Sequence, residues 1–355
     1  MRDRNDRLGD LHFHWWAEGC DTPFKDPRCL HGPRNLMPSA TKPRLAGLLF
    51  GVCFASALCH AQDLAPRAYL ITPVHANAVT LTFSFYTGSI LFNSAIPVTD
   101  ATGNPKLEIL SLYHSLNFFG RSANFTAFLP YGFAHFQGNV EGTGKHGQIY
   151  RSGLLDAVFR FSVNLKGGPA MSPEEFRSWR QKTVLGTSLT VVAPTGQYDP
   201  TRLVNQGNNR WAFKSELGFS QRRGHWVLDA YGGVWFFTTN PEFFSHNKFN
   251  PGTLTQSEAP VGAFEGHLSH DIKHNPRFWV SFDGNFWFGG RTSLNGVENP
   301  VTLQSNSRIG ATVAVPITRH QSLKFSYSNG AYIRYGGNYQ NVSAAWQYSW
   351  FGRPK

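Results

Sequence analysis

The chain is short of charge. Only 15% of its 355 residues are Asp, Glu, Lys or Arg, against roughly 25% in a typical globular domain. It has no run of about 20 apolar residues, which excludes a helical membrane protein. Its cysteines are Cys20, Cys29, Cys53 and Cys59. None follows residue 59, so the rest of the chain holds neither a disulfide scaffold nor a thiol nucleophile. That usage suits an exported protein that crosses an oxidising compartment unfolded. Neither G-x-S-x-G nor H-E-x-x-H occurs. Gly138, Gly142, Gly144 and Gly147 lack the strand–loop–helix context and the Lys-Ser/Thr pair of a phosphate cradle. His12, His14, Cys20, Cys29 and His31 fit no standard zinc spacing. No cofactor and no metal are expected.

Aromatics are abundant instead. The chain has 30 Phe, 12 Tyr and 10 Trp, and at 15% they equal its charged residues. Disordered chains are poor in aromatics. The formal charge is +11, but Lys and Arg are scattered rather than gathered on one element, which disfavours nucleic acid.

The amino-terminal end reads as an address. Lys42 and Arg44 precede an apolar stretch from Leu45 to Cys59, and a small residue, Ala61, offers a cleavage point. Residues 37–61, starting at Met37, read as a signal peptide. Residues 1–36 read as a non-native or over-extended leader, and 62–355 as the mature domain. Cys59 follows Leu58, which is unsuited to lipidation.

Beyond residue 62 the pattern has period two. Val79, Leu81, Phe83 and Phe85 alternate with Thr80, Thr82 and Ser84. The same alternation marks segments near 107–118, 122–130, 155–163, 184–193, 211–219, 226–236, 260–270, 278–288, 309–315, 322–328 and 342–350. Short connections around Gly120, at 221–224, 273–276 and 318–320 take turns with long ones at 131–152, 194–209, 238–258, 289–305 and 329–339. That parity predicts an all-β transmembrane antiparallel barrel of about 12 strands, with short periplasmic turns and long outer loops. In lipid, a closed barrel or a helix alone satisfies the backbone. Trp211 and Trp235 fall near the outer rim, and Trp226, Phe278 and Trp350 near the inner rim, as an interfacial aromatic girdle requires. One short helix interrupts the β pattern. Ser172, Pro173 and Glu175 form a capping box opening a helix from Pro173 to about Gln181. Parity places it on the periplasmic side, as a plug, a docking element or simply a solvated turn.

Several stretches are similar to one family of bacterial outer-membrane proteins. They are Pro194-Thr195-Gly196-Gln197-Tyr198-Asp199, Gly207-Asn208-Asn209-Arg210-Trp211 and Trp235-Phe236-Phe237-Thr238-Thr239-Asn240. The opening Leu64-Ala65-Pro66-Arg67-Ala68-Tyr69 and the terminal Ala345-Trp346-Gln347-Tyr348 belong with them. The family is named for the meta-pathway of phenol degradation, and the likeness spans roughly 64–350. The resemblance implies an outer-membrane barrel and a transporter role in uptake of aromatic compounds. It carries over no site residues. Residues 1–36 and the tail after Phe351 depart from it.

The polar parity contains Asp156, Arg160, Lys214, Glu216, Asp229, Glu265, His267, Asp283, Arg308 and Lys324, which are predicted to face the lumen. A charge on the lipid face near the midplane would cost about 2–4 kcal/mol. Mixed signs imply a hydrated path or an internal ion-pair network, and barrels of this size can be filled by their own side chains. Beyond residue 61, 25 Lys and Arg face 16 Asp and Glu. That excess favours either anionic solutes or contact with outer-membrane lipid and lipopolysaccharide. In the loop 194–209, Pro194, Tyr198, Asp199 and Asn209 fit an inward-folded constriction and ordinary turn chemistry equally well. In the loop 238–258, Phe243, Phe244, His246 and Phe249 are candidates for an apolar surface toward a hydrophobic substrate. His267 and Ser269 share a parity, but nothing else suggests a lipid hydrolase. The expectation is a non-enzymatic channel for small, aromatic or hydrophobic compounds. A non-conducting structural or adhesive barrel is the alternative. The substrate and the oligomeric state stay open.

Overall fold

A computed structural model describes residues 64–91, 98–140, 145–202, 204–245, 254–273 and 275–352. The expected leader and signal peptide, and His246 and Phe249, lie outside the described residues.

The sheet closes on itself as twelve antiparallel staves. The first is β1 (Ala76–Leu91). The second joins β2 (Val98–Gly103) to β3 (Lys106–Phe118). The third is β4 (Arg121–Val140), and the fourth joins β5 (Lys145–Leu154) to β6 (Ala157–Lys166). After the helix α1 (Pro173–Ser178) come β7 (Thr183–Ala193), β8 (Ala212–Arg223) and β9 (Trp226–Phe237). Two short strands follow, β10 (Asn240–Phe243) and β11 (Leu254–Glu258), then the staves β12 (Val261–Ile272) and β13 (Asn275–Gly289). The short β14 (Thr292–Leu294) and β15 (Val297–Asn299) precede the last staves, β16 (Gln304–Pro316), β17 (Gln321–Ile333) and β18 (Gly336–Phe351). Closure is by β18 on β1, in register from Ala76 opposite Phe351 to Leu91 opposite Gly336. Every strand segment expected from the alternation lies on one of these staves.

The wall is apolar outside and polar inside. Leu217 is 65% exposed, Phe282 63% and Phe288 57%, whereas Glu216, Asp283 and Asn285 are buried. Alternation forces this, because successive side chains leave opposite faces of a strand. The exposed apolar band is the surface that lipid covers.

Some connections differ from expectation. The stretch 131–152 is largely a ladder, pairing Tyr131 with Leu154 through Val140 with Lys145. Its glycines and histidines masked the alternation, since above the membrane the outward face has no need to be apolar. Residues 329–339 likewise continue β17 and β18, joined by Arg334 and Tyr335; each is held by its other neighbour, β16 and β1. The expected loops 238–258 and 289–305 contain a second small sheet in the order β10-β11-β14-β15.

The capping box forms as expected. Ser172 Oγ accepts from Glu175 N at 3.3 Å, and Glu175 Oε2 accepts from Ser172 N at 2.7 Å. The helix ends at Ser178 rather than near Gln181. Phe176 and Trp179 stack and pack against the buried cluster of Ile71, Met171 and Val184. Gln181 is already buried, donating to Ser220 Oγ at 3.1 Å. Trp179 therefore leaves the helix, with ψ of 146°, so that the chain can enter β7 at Thr183.

Candidate functional site

Ion pairs cross the middle of the lumen from stave to stave. Arg160 on β6 meets Glu216 on β8 at 3.4 Å. Lys214 lies 2.5 Å from Glu216 and 3.1 Å from Glu265 on β12. His267 stands between Glu265, at 3.6 Å, and Asp283 of β13, at 3.0 Å. Asp283 also accepts from Ser281 Oγ at 3.0 Å and from Thr312 Oγ1 of β16 at 2.8 Å. Acidic and basic side chains alternate along this row, so it forms no single-sign ring. Removing one partner of a buried pair costs about 3–5 kcal/mol, because the other charge is left uncompensated. Arg308 is buried separately, donating to Ser328 Oγ at 3.2 Å and to the Tyr339 carbonyl at 2.9 Å.

Toward the loop end the ion-pair row gives way to an apolar cluster, edged by the buried Arg210–Glu258 pair, whose guanidinium lies 4.7 Å from the Phe237 ring centroid. Val192, Ala212, Trp235, Val261 and Trp287 form a buried cluster. Trp235, expected at the lipid interface, faces inward here and is 4% exposed. Its neighbours Val234 and Phe236 are the exposed ones, so parity decides against rim position. Trp211, Trp226 and Trp350 are exposed, in keeping with an interfacial girdle.

The segment before β1 crosses the lumen at the other end, where the termini and short turns lie. Sequence reasoning missed this. Leu64 to Val74 form no strand, yet Arg67, Tyr69 and Ile71 are all buried. The Arg67 guanidinium donates to Asp271 at 2.7 Å, to Ser269 Oγ at 2.9 Å and to the Pro276 carbonyl at 3.1 Å. It also lies 4.6 Å from the Trp279 ring centroid. The Arg67 N–H donates to Asp229 and that of Ala68 to the Tyr231 hydroxyl, both at 3.1 Å. Tyr69 OH donates to Glu216 at 3.0 Å, tying this strap to the ion-pair row. Its ring fits because Gly186 and Gly218 face each other on β7 and β8. A Cβ at either would stand 2.3 or 2.1 Å from ring carbons. That cross-strand glycine pair on the polar parity was the available signal.

The loop 194–209 folds into the opposite end. Asp156 anchors its two ends, accepting from Gly196 N, Asn208 N and Asn208 Nδ2, each at 2.9 Å. Tyr198 OH donates to the Glu242 carbonyl at 2.9 Å. Asn209 donates to Asn240 Oδ1 at 3.0 Å. Val204, at the loop's far reach, is buried with Ala101, Phe136 and Tyr339, from staves two, three and twelve. Asp199 accepts from Thr201 Oγ1 and N, and pairs with Arg202 at 2.9 Å. The Thr201 donors hold the Asp199 carboxyl below the usual carboxylate range. Between this loop and β5 lies a cavity of about 180 Å³, bordered by Arg151, Gln197, Tyr198 and Arg202.

Of the sequence-predicted lumen set, Arg160, Lys214, Glu216, Glu265, His267 and Asp283 come together. Asp229 holds the strap, Asp156 holds the loop, and Arg308 stands apart. Lys324 shares the inward parity but is exposed at the terminal end and joins no ion pair among the described residues. Pro194 opens the loop, half-buried. Phe243 is 2% exposed and Phe244 half-buried; Phe243 packs within the small sheet rather than presenting an apolar surface outward. Ser269 Oγ accepts from Arg67 and His267 is held by two carboxylates, so neither has the other as partner.

The sequence profile of the family described as "Putative MetA-pathway of phenol degradation" matches residues 109–338. The fold is similar to the crystal structure of an outer membrane channel from Pseudomonas putida F1, at TM-score 0.67 and 16% identity. That match covers 81% of this chain and 100% of that one. The transport unit of an autotransporter from Escherichia coli matches at TM-score 0.48 and 11% identity, over 84% and 95% of the two chains. No curated protein matches the sequence.

Proposed function

The chain belongs to the phenol-degradation MetA-pathway family, and from that premise we propose that it is a bacterial outer-membrane channel for small aromatic or hydrophobic compounds. The observation that carries this reading is the lumen's apolar cluster, with Trp235 and Trp287 both buried on the inner wall. A wall serving only to hold a barrel in lipid needs its aromatics outside. Both tryptophan rings are covered in this state; once the elements that fill the lumen yield, they offer a planar solute offset or edge-to-face packing. Access is governed by two elements that are not wall: the strap 64–75 and the loop 194–209. A solute passes when one or both yield, and the alternating charges beneath the cluster give little preference between ion signs. The strap end is the periplasmic side and the loop end the outer side, and residues 37–61 direct export and are removed.

Single-channel recording of the refolded protein in planar bilayers, with phenol-type solutes as blockers, tests this. Discrete conductance steps that such solutes interrupt are expected. A folded, inserted but silent barrel whose strap and loop variants are equally silent would overturn the channel reading in favour of a structural or adhesive role.

A further inference from the structure

The positive excess of this chain is unevenly placed. At the loop end exposed charges are balanced: Arg202 pairs with Asp199, and Arg291 with Glu298 at 2.9 Å, while exposed Lys106 and Arg334 are matched in number by exposed Asp100 and Glu242. At the terminal end each connection between staves carries an exposed cation. Arg121 follows the turn between β3 and β4, and Lys166 ends β6. Arg223 ends β8, Lys273 follows β12, and Arg319 lies between β16 and β17. The exposed acids described there are Glu174 and Glu175, both on α1. No acid among the described residues pairs with Arg121, Arg223 or Arg319.

These cations sit beside exposed aromatics. Phe119, two residues before Arg121, is 90% exposed. Arg223 is in register with Trp226, which is 51% exposed. The ring of His320, next to Arg319, lies 6.1 Å from that of Tyr348. Exposed aromatics mark the boundary between hydrocarbon and headgroups. A cation one or two residues beyond that boundary stands at the depth of lipid phosphates. The cations also recur around the circumference, from the second stave to the eleventh. A protein partner covers one sector of a rim, whereas an annulus of lipid covers all of it.

We propose that this rim binds anionic phospholipid headgroups of the phosphatidylglycerol type in the periplasmic leaflet. The charge excess thus serves that leaflet rather than lipopolysaccharide on the outer face. The proposal rests on the terminal end being periplasmic, but not on conduction, so a silent barrel leaves it intact. The phosphate oxygens accept charge-assisted hydrogen bonds from guanidinium and ammonium groups at the turn ends.

The test is native mass spectrometry of the full chain in detergent, offered equimolar phosphatidylglycerol and phosphatidylethanolamine, and separately lipid A. Phosphatidylglycerol adducts should dominate. Combining Arg121→Gln, Arg223→Gln and Arg319→Gln should reduce them by about tenfold or more. Combining Arg202→Gln and Arg291→Gln at the loop end should leave them unchanged. Heat-modifiable gel migration establishes that each variant is folded. If the triple variant does not fold, Arg319→Gln alone, in an exposed turn, should still lower retention measurably. Equal retention of the two phospholipids overturns the proposal. So does insensitivity to the rim substitutions, an equal loss from the loop-end pair, or lipid A retained through the terminal-end cations.

Discussion

The strap 64–75 and the loop 194–209 enter the same lumen from opposite ends, but they are held by different chemistry. The strap has almost no structure of its own. Arg67, Ala68 and Tyr69 bond to residues more than a hundred positions away, on β7, β8, β9 and β12. The loop makes many of its bonds within itself. Asp199 bonds Thr201 and Asn205, Asn205 bonds the Arg202 carbonyl, and Gly207 N donates to the Gln197 carbonyl. An element held by buried long-range charges is released as a unit and at high cost. A self-bonded loop can tilt on its anchor and keep its shape.

The strongest way to break this contrast is Arg67→Ala. It leaves Asp271 with Arg222 alone and should weaken strap docking by about 3–5 kcal/mol. Hydrogen exchange followed by mass spectrometry should show protection lost over 64–75 and unchanged over 194–209. Loss in both would mean that the closures are coupled. Next in size is a test of the wall they share. Phe282→Arg puts a charge into lipid and should cost about 2–4 kcal/mol, whereas Asn285→Arg places it in the polar lumen and should assemble better. Equal yields of heat-modifiable barrel from the two would contradict the orientation of β13. At the loop end, Asp156→Ala removes the acceptor of three hydrogen bonds and should cost about 1.5–3 kcal/mol. Its signature is faster exchange, or tryptic cleavage at Arg202, with the strap still protected.

The smallest effect concerns pH. Asp199 is held below the usual carboxylate range by its Thr201 donors. Its contribution to loop order is therefore complete above about pH 3.9 and is lost as pH falls through the lowered value. Exchange over 199–205 should not change between pH 7 and pH 5 on account of this group. A change there would need another titrating residue.

The staves were legible in the sequence because period two survives wherever one face meets lipid and the other meets polar groups. Leu217 beside Glu216, and Phe282 beside Asp283, show it at single-residue resolution. Legibility failed where that contrast stops. Above the membrane, the β4–β5 ladder carries histidine on its outward face and glycine on its inward face, so the apolar–polar contrast is lost and it reads as a loop. Trp235 resembled a girdle residue by position, although its parity pointed inward. Phe243 resembled a presented surface, although it ends a strand of a small sheet that pairs residues up to 38 positions apart. The capping box on Ser172 and Glu175 was local and was read correctly, but the helix's length was set by where Trp179 and Gln181 pack.

By itself, then, the sequence determined the barrel, its stave count, its facing and the membership of the polar set. Each follows from alternation and from the cost of placing charge in hydrocarbon, which act locally on every strand. Tertiary structure alone decided which charges meet: that Lys214 lies between Glu216 and Glu265, that Asp156 clasps a loop, and that Arg67 reaches Asp271. Those contacts depend on the radius and closure of the barrel, which set how far a side chain on one stave stands from another. Residues 64–75 have no periodic partner to announce them, and their place in the lumen exists only once the wall around them has closed.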